Sequence, residues 1–350
     1  MSFDFAYDLL RELTEARGVP GYEDAVRAIA RREFAEHTDR VRTDAMGNVV
    51  GTIEGDSDYS VAVAAHMDEI GFMVRHVTED GFVKVDPLGG FDPRVLRAQR
   101  VTVHGEEDLT GVIGSVPPHT LTEEQREKAD AVSDVFIDLG RDAETVEELV
   151  GVGDVVTLDQ TTTRMGDRIT GKALDDRVCL FAAIEAAKRI EGPDVTIHFA
   201  ATVQEEVGLR GATALGVDID PDLALALDVT VANDVPQIGD AADAVTKLGE
   251  GTAIKLKDAS VITSPKVHKR LTAVAETEGI DHQHEVLPAG GTDTAGFQNT
   301  AGAKPVGAIS IPTRYLHTVT ETADGDDIAA TIDLLTAFLT SETGEHDYTL

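Results

Sequence analysis

Apolar and polar positions alternate along this chain in three regimes. The first opens with two helical patterns, about 3–17 and 22–38; the second follows the turn residues "GVPGYED", which also put acid in its first turn. "GNVVGTIEG" reads as a strand with a glycine end, and "SVAVAAHMD" as a short strand apolar on both faces. From about 70 to 163 the pieces shorten and are split by Gly and Pro: "GFMVRHV", "GFVKVDP", "QRVTVHG", "TGVIGSV", "DVFIDLG" and "GDVVTL". Only the polar "TLTEEQREKADAV" interrupts them, which predicts a small β-rich domain inserted into a larger one. From 164 onward helical patterns ("DDRVCLFAAIEAAKRI", "LRGATALGV", "SPKVHKRLTAVAETEG", "DDIAATIDLLTAFLTS") alternate with strands ("DVTIHFAATV", "DLALALDV", "HQHEVLP", "PVGAISIP"). That order predicts an α/β fold: a mostly parallel sheet covered by helices on both faces. The expected division is a discontinuous α/β domain, 1–69 and 164–350, interrupted by the β-rich insertion 70–163.

Composition narrows the setting. The 350 residues are ample for a full core, and no run of about 18 apolar residues predicts a membrane span. The N-terminus has no basic or apolar leader pattern and reads as an amphipathic helix. The single Cys179 sits in an apolar helix and reads as core; it excludes an internal disulfide framework and fits a reducing cytoplasm. Thirty Lys plus Arg against 64 Asp plus Glu give a net charge of −34, which argues against nucleic acid as a partner. The acids are dispersed, with no long acidic tract. A dispersed acidic surface suits a salt-loving microbial host, where self-repulsion is screened, so activity and stability should rise with salt.

Chemistry gathers at the strand ends. His66 and Asp68 follow "SVAVAA"; Glu205 and Glu206 follow "IHFAATVQ"; Asp228 follows "LALAL"; His317 follows "GAISIPTRYL". Asp175 and Asp176 stand just before a helix, where a carboxylate is favoured. Carboxyl ends of strands in open α/β sheets line one crevice, so these residues converge. Taken singly, each has an ordinary reading as a cap, a solvated acid or a surface histidine. Together, imidazole and carboxylate suit zinc, cobalt or manganese, and the lack of cysteine ligands excludes a structural zinc finger. Two histidines and at least three carboxylates exceed a single catalytic zinc and suit two divalent ions about 3.5–4 Å apart sharing a carboxylate. One of the adjacent glutamates can then be a ligand while its neighbour stays free to move a proton. His37, His76, His104, His119, His198, His268, His282 and His284 fall outside the strand-end pattern.

The stretches "AAHMDEIGFMV", "GVIGSVPPH", "KALDDRV", "QEEVGLRGA", "ALDVT", "GGTDTAGFQ" and "SIPTRYLHT" span nearly the whole chain. In them the sequence resembles the tetrahedral aminopeptidase family of di-metal exopeptidases. The resemblance implies that His66 and Glu206 hold one ion, Asp228 and His317 the other, with Asp175 between them. It implies Glu205 as general base and acid, and Asp68 as the group that orients His66 through its second nitrogen. It puts the turn carrying Gly291, Thr292 and Asp293 beside the substrate, without a chemical step. It further implies short peptides as substrates, dimerisation through the inserted domain, and assembly into a hollow tetrahedral dodecamer. Residues 119–132 would be a mobile loop near the entrance.

Three other activities compete. A related di-metal amidohydrolase, a deacylase acting on N-acyl amino acids, would use the same ligands. A glycoside hydrolase with Glu205 as acid would need two unligated carboxylates and no metals. A metal-binding scaffold would have no use for a base beside a ligand.

Overall fold

The computed structural model describes residues 5–124, 131–238 and 244–350. At its centre four strands run parallel: β12 (Thr196–Thr202), β3 (Ser60–His66), β13 (Leu223–Val231) and β16 (Val306–Arg314). Strand alternation sorts their side chains by size. Val61, Val63, Phe199, Leu225 and Leu227 face one side, and the small Ala62, Ala64, Ala200 and Ala224 face the other. The larger side packs under α1 (Tyr7–Glu15), α2 (Asp24–His37), α4 (Leu174–Ala187), α6 (Pro265–Glu278) and α8 (Gly325–Thr340). The alanine side lets the short helices α5 (Arg210–Ile219) and α7 (Asp293–Gln298) approach closely through Ala212, Leu215 and Phe297. Cys179 is buried in α4, as core.

The sheet as a whole is mixed, which corrects the expectation of a mostly parallel one. β2 (Val49–Ile53) pairs antiparallel with both β12 and β1 (Arg40–Thr43). On the other flank, β17 (Glu321–Asp324), β11 (Arg168–Gly171) and β10 (Thr163–Met165) follow β16 in antiparallel order. β14 (Thr252–Lys257) is antiparallel to β16 and parallel to β15 (His282–Val286). Most of the strands that had not been expected, β1, β10, β14 and β17, are short and polar, or carry a buried charge. Lys255 on β14 is fully buried because Glu285 and Asp258 pair with it, so no apolar run marks that strand.

The inserted segment forms a closed barrel in the order β4-β5-β8-β7-β6-β9. Its strands are β4 (Gly71–Val77), β5 (Val83–Leu88), β6 (Gln99–His104), β7 (Asp108–Ile113), β8 (Phe136–Asp138) and β9 (Val155–Leu158). Alternate residues point inward, among them Phe72, Val74, Val83, Val85, Val101 and Val103, and closure removes the exposed sheet edge. The helix α3 (Ala143–Leu149), capped by Asp142, adds Val146 to this core. The stretch 119–132 lies partly outside the described residues; Pro118–Thr120 is an exposed single turn.

One half-buried histidine in the sheet carries a pH prediction. His198 on β12 lies 3.0 Å from Thr52 Oγ1, and burial, then Arg40 and Arg42, hold it down to about 4 from an ordinary 6.5. The unfolded chain therefore takes up this proton first as pH falls. Stability should be intact above about 6.5 and drain away towards pH 4. Allowing for partial exposure, about 2 kcal/mol is at stake. Urea unfolding at neutral pH and at pH 4.5 should show His198→Gln losing less stability than the parent by about that amount; equal losses would refute it.

Candidate metal centre

The carboxylate of Asp175, at the start of α4, faces two imidazoles at once. Its Oδ1 is 3.2 Å from His66 Nε2 and its Oδ2 is 3.4 Å from His317 Nε2. His66 ends β3, and His317 follows β16 in a turn where its own φ is +59°. Glu206 Oε1 lies 3.6 Å from His317 Nε2, and Glu205 Oε2 lies 3.9 Å from His66 Nε2. In two groups among the described residues the donor atoms already lie within 4.8 Å of one another, as a metal ion requires: His66, Asp176 and Asp228, and His66, Asp175 and Glu206. The five residues singled out as ligands thus come together, with Glu205 at their edge. One group sets Glu206 with His66, as the resemblance implied; the other sets Asp228 with His66, and Glu206 also approaches His317, neither of which it implied.

The surroundings fix these groups in place. His66 Nδ1 donates to the backbone carbonyl of Asp68 at 3.0 Å, turning Nε2 to the centre. The Asp68 carboxylate is 3.6 Å from that nitrogen and has other work: its two oxygens accept the backbone N–H groups of Glu205 and Glu206, each at 3.0 Å. Past the end of β12, with Gln204 at φ +56°, strand alternation no longer separates neighbours. One bidentate clamp therefore turns both glutamates into the same cleft. His317 Nδ1 donates to Gly90 O at 2.7 Å, so the inserted barrel segment sets the ring of a candidate ligand. Gly89 beside it has φ +96°, and a Cβ there would lie 2.5 Å from Ile70 Cγ2 and 3.3 Å from Glu206 Oε2.

Two acids were given no role by the reading of the sequence, Glu321 because it was not singled out and Asp176 because only its place beside Asp175 was. Glu321 on β17, 2% exposed, accepts from the backbone N–H of Asp175 at 3.0 Å and of His317 at 2.9 Å. Asp176, weighed there only as half of an acidic pair, accepts from His66 N–H at 3.1 Å through Oδ2, and its buried Oδ1 has no hydrogen-bond partner. In the Gly291–Asp293 turn the three residues separate. Gly291 is exposed, Thr292 is spent as the N-cap of α7, and Asp293 is buried, accepting from Thr202 Oγ1 at 2.5 Å.

Residues 47–334 match the family described as M42 glutamyl aminopeptidase, and a second family, described as AMPT, matches residues 7–29. The chain belongs to the M42 family. It is 36% identical over 341 residues to lysyl aminopeptidase of Pyrococcus furiosus, covering 95% of this chain and 96% of that one. Aminopeptidase APDkam598 from the archaeon Desulfurococcus kamchatkensis superposes with a TM-score of 0.92 at 38% identity, over 97% of this chain and 95% of that one. The TET1 peptidase of Pyrococcus horikoshii, which can assemble into a tetrahedron or a large octahedral shell, superposes at 0.85 with 34% identity, over 96% and 99% of the two chains. This M42 protein is therefore a peptidase with an aminopeptidase fold. Among its described residues no helix is long and apolar enough to cross a membrane.

Electrostatics in the M42 site show a shortage of positive charge. Burial, then the Asp228, Asp293 and Glu206 carboxylates, hold Glu205 well above the usual carboxylate range against the pull of His66. Burial and Asp175 push Glu206 up to about 7, and the same two causes raise Asp228 strongly. Burial would also raise Asp175, but His317 and His66 outweigh it and bring that carboxyl below its ordinary value. Burial disfavours charge on His317, yet Asp175 and Glu206 draw it up to about 10. Left to themselves, these acids share protons and lean on two imidazolium rings. Bound cations would supply the missing charge and let every carboxylate ionise. With the unpartnered Asp176 oxygen and donors of nitrogen and oxygen only, the residues present fit divalent metals.

Proposed function

We propose that this peptidase is a di-metal aminopeptidase that removes N-terminal residues from short peptides. The observation that carries the reading is Asp175, one carboxylate with an imidazole 3.2 Å from one oxygen and another 3.4 Å from the other. Asp175 would bridge the ions, with His66 and Asp228 on one side and His317 and Glu206 on the other. Zinc or cobalt suits these donors best, and manganese is compatible. Two such ions supply Lewis acidity and make a water molecule acidic enough to react at neutral pH. Glu205, left unligated, would take a proton from the attacking water and return it to the departing amine. Asp68 keeps Glu205 and Glu206 in register by holding both backbone N–H groups. Gly90 keeps His317 in the tautomer that offers Nε2.

In this reading residues 1–69 and 164–350 form the catalytic domain, and 70–163 mediate dimerisation within a tetrahedral dodecamer. The TET1 relative's assembly supports this extension. The Gly291–Asp293 turn lines the substrate side of the cleft, and the single cysteine fits a cytoplasmic location. The charge of −34 supports a halophilic source: the folded fraction and the turnover rate should both climb with salt, and full activity in dilute buffer would count against it.

Metal removal tests the chemistry. Prolonged dialysis against a chelator should abolish hydrolysis of Leu-, Glu- and Lys-anilides, and added zinc or cobalt should restore it. Activity that survives stripping would contradict the proposal. Their N-acetyl forms should resist cleavage, because an aminopeptidase needs a free α-amine. Cleavage of the blocked substrates alone would turn the reading to a deacylase.

A further inference from the structure

The histidines that the catalytic cleft leaves unused are not scattered. In "HQH" on β15, His282 and His284 are two residues apart, so both side chains leave the same face of the strand. Glu285 turns the other way and is buried against Lys255. His268 of α6 meets the histidine face. Its ring centre is 5.0 Å from that of His284, which in turn is 5.8 Å from that of His282. Two imidazoles on one tetrahedral zinc, with Zn–N bonds of about 2.0–2.1 Å, have ring centres roughly 5 Å apart.

The individual rings are prepared for ligation. His282 Nδ1 donates to Ile280 O at 3.0 Å, which leaves the lone pair on Nε2 free, the arrangement usual for metal-bound histidine. His268 Nε2 is buried without a hydrogen-bond partner, a cost that a ligand would remove. Burial, then His284 and His282, hold His268 below its ordinary value, so it is neutral at pH 7 and able to donate a lone pair. His284 is exposed on β15, which pairs only with β14 among the described residues. It stands between the other two rings and has to turn about its side-chain bonds to close the set, because the three rings as they stand do not bring their nitrogens within 4.8 Å of one another.

We propose that His268, His282 and His284 form a surface site for a divalent transition ion such as zinc, nickel or copper, distinct from the catalytic pair. Three imidazoles with a water in the fourth position make a familiar tetrahedral donor set. An ion held there would clip the edge strand β15 to α6 and stabilise the folded chain by mass action. The net charge of −34 enriches cations around the whole surface, but among the described residues only this cluster sets three imidazole rings together on two packed elements.

Zinc counting tests the site. The stripped full-length protein and its His282→Gln/His284→Gln variant are dialysed against one zinc-buffered solution, and the bound metal is measured. The parent should hold one zinc per chain more than the variant, and both should show the same peptidase activity when saturated. His268→Gln alone should lose that same ion. Equal zinc content in parent and double variant overturns the site, as does an extra ion that survives His268→Gln. Because the difference between proteins is read, the result is independent of how many ions the catalytic cleft takes. Should the variants fold poorly, Cu²⁺ added to zinc-loaded parent protein decides by its electron paramagnetic resonance. Nitrogen splitting from more than one imidazole supports the site, and a copper signal without it, an adventitious ion only, refutes it.

Discussion

Glu205→Gln should lower kcat by about 10²–10⁴-fold, the range removed when a positioned acid-base group is lost. Metal content and thermal unfolding should stay at the parent's level. The substitution keeps shape and hydrogen-bonding capacity but cannot take a proton from water or pass one to an amine. Glu205 suits this test because it belongs to neither candidate ligand group, although its Oε2 is 3.9 Å from His66 Nε2. Its backbone N–H is held by Asp68, not by its own side chain, so the turn should survive. Kinetics on an amino-acyl anilide, with zinc counted on the same preparation, checks both halves. A variant with a tenth or more of the parent kcat would remove Glu205 from the reaction, and a variant that loses zinc would make it a ligand.

Asp175→Asn should act in the opposite way, by removing the metals. Groups that only orient a ligand typically contribute 10–100-fold to metal affinity, so a carboxylate shared by two ions should contribute more than about 100-fold. The amide keeps the volume but loses the charge and one of the two oxygen donors facing His66 and His317. Activity should fall to background at any ordinary zinc concentration, and competition with a chromogenic chelator should show the affinity loss directly. Near-parental affinity would mean that Asp175 is a bystander. Glu205→Gln keeps the ions and loses the chemistry, while Asp175→Asn loses both, and that contrast separates the two roles.

The sequence made the main site residues legible for a simple reason. Apolar runs mark strands, strands have ends, and in an α/β sheet those ends meet. His66, Glu205, Glu206 and His317 stand at or past such ends; Asp228 follows the run "LALAL" but lies inside β13, which continues to Val231. Glu321 does not: "ETAD" has no apolar run, and the strand it forms is buried by pairing with β11 and β16. The proposed division of ligands was equally hidden. It depends on β3 lying between β12 and β13, an order set by long-range pairing, which puts His66 between Glu206 and Asp228. Asp68 was expected to act on His66 because it is two residues away. It does meet His66, whose Nδ1 donates to its backbone carbonyl, but its carboxylate also reaches Glu205 and Glu206, 137 and 138 residues distant, because the turn after β12 leaves two N–H groups in need of an acceptor. The contact from Gly90 to His317 spans 227 residues and joins the barrel segment to the sheet, beyond the reach of any local pattern. The six barrel strands, by contrast, each carry their own inward alternation and turn residues, so they could be read one at a time.

The central claim is that Asp175 stands between two cations. Its most direct test is a crystal structure of the zinc-loaded protein with anomalous scattering recorded at the metal edge. Two peaks about 3.5–4 Å apart, each touching one Asp175 oxygen, with His66 and Asp228 on one ion and His317 and Glu206 on the other, are the predicted result. A single peak, or two that leave Asp175 untouched, would contradict it.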